Sequence, residues 1–161
     1  ESLSDSKDLG IYVFNGLKKT AVRVADYTKL AIQNILSYAP LYFDNSGKYI
    51  FYSFNSGGRE NQLKRVDLAN KTTETVLNFP NGINYISPSP DGKKFVLVGN
   101  HDMFLLENLN GLDTNKTIKR EDLYGLQATI PKLGTTSATM LEWHKDGSLF
   151  WNFTNEHHKL N

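Results

Sequence analysis

Three stretches of the chain are apolar at almost every position, and each follows a polar bend. Tyr49-Ile50-Phe51-Tyr52, Phe95-Val96-Leu97-Val98 and Leu149-Phe150-Trp151 do not alternate between apolar and polar side chains. A strand with one wet face alternates, whereas a strand covered on both faces reads as a continuous apolar run. The bends that precede them are Asp44-Asn45-Ser46-Gly47, Asp91-Gly92 and Asp146-Gly147. Glycine accepts positive φ at no steric cost and aspartate hydrogen-bonds its own nearby backbone, so both residues specify tight turns. A shorter apolar segment lies before each bend: Leu41-Tyr42-Phe43, Ile86-Ser87 and Leu141-Glu142-Trp143. Each unit therefore reads as strand, turn, doubly buried strand.

The units recur. Gly47 to Gly92 is 45 residues and Gly92 to Gly147 is 55, the second longer by an insertion. The first spacing is that of a four-stranded propeller blade. Further strands fit the same scheme. Gln62 to Leu68 alternates, Asn70-Lys71 marks a turn, and Thr72 to Leu77 reads as an outer strand. In the second unit Met103 to Glu107 and a weak Thr117-Ile118-Lys119 take those places. Ahead of the first unit, Ile11 to Phe14, the turn Asn15-Gly16, and Thr20 to Val24 read as the last two strands of an earlier blade.

The expected fold class is therefore all-β: four-stranded antiparallel β-propeller blades, about three of them. Residues 1–161 form a single partial propeller domain. Residues 1–25 give outer strands of a first blade, 38–78 and 84–120 give two blades, 121–137 an insertion loop, and 138–161 the inner strands of a last blade. Closed propellers have about 4–8 blades, so a six- to eight-bladed ring would need the rest of a longer chain or a second copy. The insertion is the expected place for partner contact or for a plain surface loop. Residues 26–37 suit a short helix or an irregular connector.

Composition narrows the function classes. Of 161 residues, 39% are hydrophobic and 12% aromatic, enough to fill a core and favouring strands. Eighteen basic residues against 17 acidic ones give a net charge of +1 with no long run of one sign, which offers no footprint for nucleic acid. The absence of cysteine excludes disulfides, thiolate metal sites and a cysteine nucleophile. No run of about 18 apolar residues is present, so no membrane-spanning helix is expected.

At these repeats the chain resembles the TolB-like propeller repeats, relatives of the WD-repeat propellers. Ser89-Pro90-Asp91-Gly92-Lys93-Lys94, followed by Phe95 to Val98, is similar to that family's signature and inner strand. Gly57 to Leu68 is similar to its connector and third strand. Trp143-His144-Lys145-Asp146-Gly147 keeps the aromatic, Asp and Gly but lacks Ser-Pro, and Phe43-Asp44-Asn45-Ser46-Gly47 keeps a spaced Asp and Gly. The resemblance implies a repeat protein that serves as a scaffold in the bacterial envelope, periplasmic or extracellular, or else a propeller attached to a prolyl-oligopeptidase-like serine hydrolase. No residue matches a known site, so none is carried over.

Candidate chemistry is sparse. His101-Asp102 follows an inner strand, and as sequence neighbours the two read as a polar turn rather than an oriented base. Glu142, His144 and Asp146 with Glu156, His157 and His158 offer metal-ligand types without a metal spacing. Asp44, Asp91 and Asp146 recur with the blades, which assigns them to turns. Asn70, Asn115 and Asn152 begin sequons that read as coincidence. Tyr12, Phe14, Tyr42, Tyr52, Phe54, Trp143 and Trp151 are expected mostly between blades. No nucleophile elbow, phosphate loop or dinucleotide fingerprint is present. The expectation is a non-catalytic module binding a protein or peptide through a loop face, with no catalytic, metal or cofactor residues. The alternatives are the gating propeller of a larger serine hydrolase and a carbohydrate-binding propeller.

Overall fold

The computed structural model describes residues 10–26, 41–55, 60–99, 101–107, 116–134, 140–153 and 156–161. The helix or connector expected within 26–37, the Gly57-Gly58-Arg59 connector, the Asn115 sequon and the two flanks of the insertion lie largely outside these residues. A first pair of strands is β1 (Gly10–Asn15) and β2 (Thr20–Asp26). Next come β3 (Tyr42–Phe43), β4 (Tyr49–Asn55), β5 (Glu60–Asp67) and β6 (Thr72–Pro80), then β7 (Ile83–Pro88), β8 (Phe95–Gly99) and β9 (Met103–Leu106). Between β9 and the last strands come β10 (Lys116–Thr117), a one-turn helix α1 (Arg120–Leu123) and β11 (Lys132–Gly134). The last strands are β12 (Met140–Trp143), β13 (Leu149–Phe153) and β14 (Glu156–Leu160).

These strands form four sheets: β1-β2, β10-β6-β5-β4-β3, β11-β9-β8-β7 and β12-β13-β14. Consecutive strands pair antiparallel, and only β10 joins its neighbour β6 in parallel. The fold class expected from the pattern is the one observed.

Period-two alternation sorts each buried run between two interfaces. On β4, Ile50 and Tyr52 pack toward the first pair of strands with Ile11, Val24 and Val66. Phe51, between them, turns the other way and joins Leu63, Leu77, Phe95, Leu97 and Phe104. On β8, Phe95 and Leu97 share that second interface, while Val96 and Val98 enter a third with Met103, Leu105 and Leu149. Every residue of β8 is buried. The unbroken apolar runs are thus two alternating patterns superimposed, one for each interface.

On β13 the expectation holds for one face only. Leu149 is buried, but residues 150–153 are half-buried. Among the described residues no further sheet covers the face carrying Phe150, over which the His144 ring tilts at 4.2 Å. Cross-sheet hydrogen bonds tie the inner strands together. Trp143 Nε1 donates to the Ser87 carbonyl at 3.3 Å, Asn61 Nδ2 to that of Ile83 at 3.3 Å, and the Asn45 amide to that of Pro90 at 2.8 Å.

Two assignments, one just before the insertion and one within it, are corrected. The weak strand placed at Thr117-Ile118-Lys119 does not complete the 84–120 unit. Lys116 and Thr117 pair with Leu77 and Asn78 of the preceding sheet, and the Ile118 amide donates to the Asn78 carbonyl at 2.8 Å. The fourth strand of the later sheet is β11, inside the stretch read as a loop, opposite Met103 and Phe104. Its Lys-Leu-Gly sequence after Pro131 has low strand propensity, and pairing with β9 overrides that preference. The insertion is therefore a strap. It crosses to the outer edge of one sheet, returns through α1, and buries Ile118, Leu123 and Ile130 in the second interface. The terminal segment Glu156 to His158 belongs to a third strand pairing with β13, on which Glu156 and His157 are exposed.

Candidate functional site

At one end of the sheets sit the three aspartate turns. Gly47, Gly92 and Gly147 adopt φ of +66°, +71° and +85°. Asp44 Oδ1 accepts from the Tyr49 amide at 2.8 Å, and its other oxygen accepts from the Ser46 amide and hydroxyl. Asp91 accepts from the Ser89 hydroxyl at 2.6 Å and the Lys93 amide at 3.1 Å. Asp146 accepts from the Ser148 hydroxyl at 2.6 Å and its amide at 2.9 Å. All three carboxylates close their own turns, so their recurrence is structural.

For Asp44 and Asp91 partial burial works against the charge, yet hydrogen bonds from Ser46 or Ser89 and from backbone amides outweigh it and hold each pKa below its ordinary 3.8. For Asp146 the Ser148 hydroxyl and amide do the same directly. A depressed folded pKa contributes stability that is complete above the unfolded value and lost as pH falls through the folded one. Stability should therefore decline below about pH 4, and Asp91→Asn should flatten that decline. Urea midpoints measured between about pH 6 and pH 2 check this; a variant slope equal to the wild-type slope would contradict it.

The opposite end carries the loop after β6 and the loop between β8 and β9. They meet closely: a Cβ on Gly99 would lie 2.7 Å from the Gly82 carbonyl oxygen, so the backbones touch where only glycine fits. Against this floor the strap closes a cleft of about 180 Å³ lined by Asn81, His101, Asp102, Arg120 and Tyr124, among others. Lys132 on β11 pairs with Asp102 at 2.6 Å. The Tyr124 ring stands edge-on to buried Phe104 at 5.2 Å, with the Arg120 guanidinium over it at 5.4 Å. Burial, followed by the Asp102 charge and a hydrogen bond to it, pushes the Tyr124 hydroxyl above its ordinary 10.0, so it stays a neutral donor.

Asp102 is held by Lys132 and Tyr124, and exposed His101 lines the cleft beside it. Tyr124 escaped the sequence reading because it belongs to the stretch taken as a loop, and Arg120 because it was taken as the end of the blade before it. The signal that marks them is apolar: Ile118, Leu123 and Ile130 recur in an otherwise polar segment and pin it down. Beyond Tyr124, Gly125 has φ of +108° and Leu126 is fully exposed.

The other candidate ligands stay apart. Among the described residues no three His, Asp or Glu side chains converge to hold a metal ion. Glu142, His144 and Asp146 line a shallow depression of about 580 Å³ at the turn end. His157 bonds Asn152 at 2.6 Å, and His158 stacks on Trp151 at 5.2 Å with Glu156 at 3.5 Å. Asn70 lies in an exposed turn, and Asn152 sits on β13. Tyr52 is buried, Tyr42, Phe54, Trp143 and Trp151 pack partly against the core, and Tyr12 and Phe14 are exposed. No helix among the described residues is long and apolar enough to cross a membrane.

No family model and no curated protein matches the chain. Solved structures do. TolB from Acinetobacter baumannii superposes with a TM-score of 0.51 at 16% identity, over 92% of this chain and 33% of that one. Oligogalacturonate lyase from Vibrio parahaemolyticus superposes with a TM-score of 0.57 at 10% identity, over 99% of this chain and 43% of that one. Both are β-propellers. The sheets are propeller blades. At these identities the likeness establishes the fold alone, and the chain spans a third to less than half of each matched structure.

Proposed function

We propose that this chain is a non-catalytic β-propeller module that binds a protein or peptide through the blade end carrying the strap. The observation behind this reading is the strap itself. Packing of Leu123 and Ile130 turns a long connector into a fixed rim, and that rim sets exposed Leu126 beside a polar cleft. Small-molecule pockets usually measure about 300–1,000 Å³, so a cleft of about 180 Å³ suits a single side chain. Arg120, His101 and the Asn81 amide supply hydrogen bonds to a peptide around an apolar contact, the usual anatomy of a protein interface.

Panning a random-sequence peptide library against the 161-residue chain should enrich peptides whose binding is lost in Arg120→Ala/Leu126→Ser. The variant's melting temperature should stay near that of the wild type, because both side chains are exposed. No enrichment, or peptides indifferent to both substitutions, would count against the reading. In the same proposal the module sits in a larger propeller of the bacterial envelope. The blade count of the complete gene product and fractionation of the native protein test these two points.

A further inference from the structure

The cleft under the strap holds charges of both signs, and they differ in what they already bind. Asp102 is engaged: the Lys132 ammonium stands 2.6 Å from its carboxylate, and the Tyr124 hydroxyl donates to it. Arg120 is exposed, and its guanidinium lies over the Tyr124 ring, 5.4 Å from the centroid. That contact fixes the position of the cation through the ring's π-face and leaves its five N–H donors for other partners. Among the described residues the guanidinium makes no hydrogen bond and no ion pair. The acids beside it on α1 turn to Lys119 instead. Glu121 lies 3.8 Å from the Lys119 ammonium, and Asp122 accepts from the Lys119 amide at 2.8 Å. A group entering the cleft therefore meets the guanidinium as the charge ready to pair.

Local structure gathers further donors around the same opening. Asn81 lies in the turn between β6 and β7, which Gly82 closes with φ of +99°. His101 lies in the turn between β8 and β9, where the Gly99 amide donates to the Asp102 carbonyl at 2.8 Å. Both side chains are exposed, and both line the cleft. From the strap, Arg120, Leu123 and Tyr124 stand at i, i+3 and i+4, which is one face of a helical turn, and all three line the cleft. Buried Leu123 thus seats the face that carries the guanidinium. A guanidinium can offer a carboxylate two parallel N–H groups, and such charge-assisted pairs are stronger than neutral ones. The imidazole and the Asn81 amide add donors beside it.

We infer that this cleft selects a carboxylate of the bound peptide, with Arg120 as its counter-charge. The inference rests on the reading of the strap end as a peptide site and adds the chemical class of the group that enters. A basic side chain would have to displace Lys132 from Asp102 beside a second cation. An uncharged one would cover the guanidinium, removing its water without giving it a charged partner. A volume of about 180 Å³ admits one residue, and the carboxylate can come from an aspartate or glutamate side chain or from the end of the peptide.

Affinity selection of synthetic random-sequence peptides by the 161-residue chain tests this, with one library of all twenty amino acids and one without aspartate and glutamate. Each is made with free and with amidated C-termini. The acid-free, amidated library holds no carboxylate and should give no binders. Binders from the full amidated library identify the side chain as the source, and binders from the acid-free library with free ends identify the chain end. For the tightest binder, replacing its carboxylate by an amide should lower affinity at least about tenfold. Arg120→Gln should cause the same loss, and the two changes together little more, the signature of a direct pair. Lys93→Gln, an exposed lysine at the opposite end, should change little. Asn81→Asp adds a carboxylate to the cleft without touching Arg120 and should also weaken binding. Circular dichroism melts check the folding of each variant, and if Arg120→Gln is unfolded, Asn81→Asp decides. Binders from the acid-free, amidated library that are lost in Leu126→Ser but not in Arg120→Gln would overturn the carboxylate assignment and leave the peptide site standing. No binders from any library would overturn both.

Discussion

Phe95→Ala should lower stability by about 3–5 kcal/mol, the usual range for removing a fully buried phenylalanine. Phe95 is completely buried on β8, edge-on to Phe51 of the preceding blade, with ring centroids 6.3 Å apart and planes at 71°. Leu63, Leu77 and Phe104 surround the pair. The void has little means of collapsing, because hydrogen-bonded sheets on either side hold their separation. Val96 and Val98 fix the strand against the next blade in the same way. A domain of ordinary stability has about 5–15 kcal/mol in total, so this substitution would take about a fifth of it or more. Urea unfolding of the two proteins measures the difference. Phe150→Ala supplies the comparison: that ring is half-buried on the last blade and should cost about 1–2 kcal/mol. A loss under about 1 kcal/mol at Phe95 would mean that the second face of β8 is not sealed.

The contrast between Phe95 and Phe150 also marks how far the fold is legible in the sequence. Turns are local chemistry, so Asp91-Gly92 and Asp146-Gly147 announce themselves, and the apolar runs after them locate β8 and β13. Whether a run is covered on both faces depends on a neighbouring sheet, which no local pattern reports. Pairing partners are hidden for the same reason. Thr117-Ile118 signals a strand next to something apolar, but its parallel partner is Leu77-Asn78, about forty residues earlier. β11 is invisible because Lys132-Leu133-Gly134 carries little strand preference and owes its conformation to β9. The sites follow the same rule. His101 and Asp102 were visible as candidates, yet the groups that define their surroundings, Lys132, Arg120 and Tyr124, come from the strap.

Leu123→Ala tests whether the strap is core or ornament. A helix of four residues has no stability of its own. Asp122 accepts from the Lys119 amide at 2.8 Å, which organises the turn but leaves it exposed to water. The position of α1 therefore rests on the buried side chains of Ile118, Leu123 and Ile130. Truncating Leu123 should cost about 2–5 kcal/mol if those contacts are core contacts, whereas Leu126→Ser, on the fully exposed residue three positions on, should stay within about 0.5 kcal/mol. Hydrogen exchange locates the loss. In Leu123→Ala the amides of Ile118 and Ile130, which bond Asn78 and Asp122, should exchange faster relative to wild type than those of β8. Peptide binding at the cleft should weaken with them, because Arg120 and Tyr124 hold their places only while Leu123 is seated. A stable Leu123→Ala protein with unchanged strap protection would show instead that β10 and β11 anchor the insertion, and that the rim of the cleft is set by its ends.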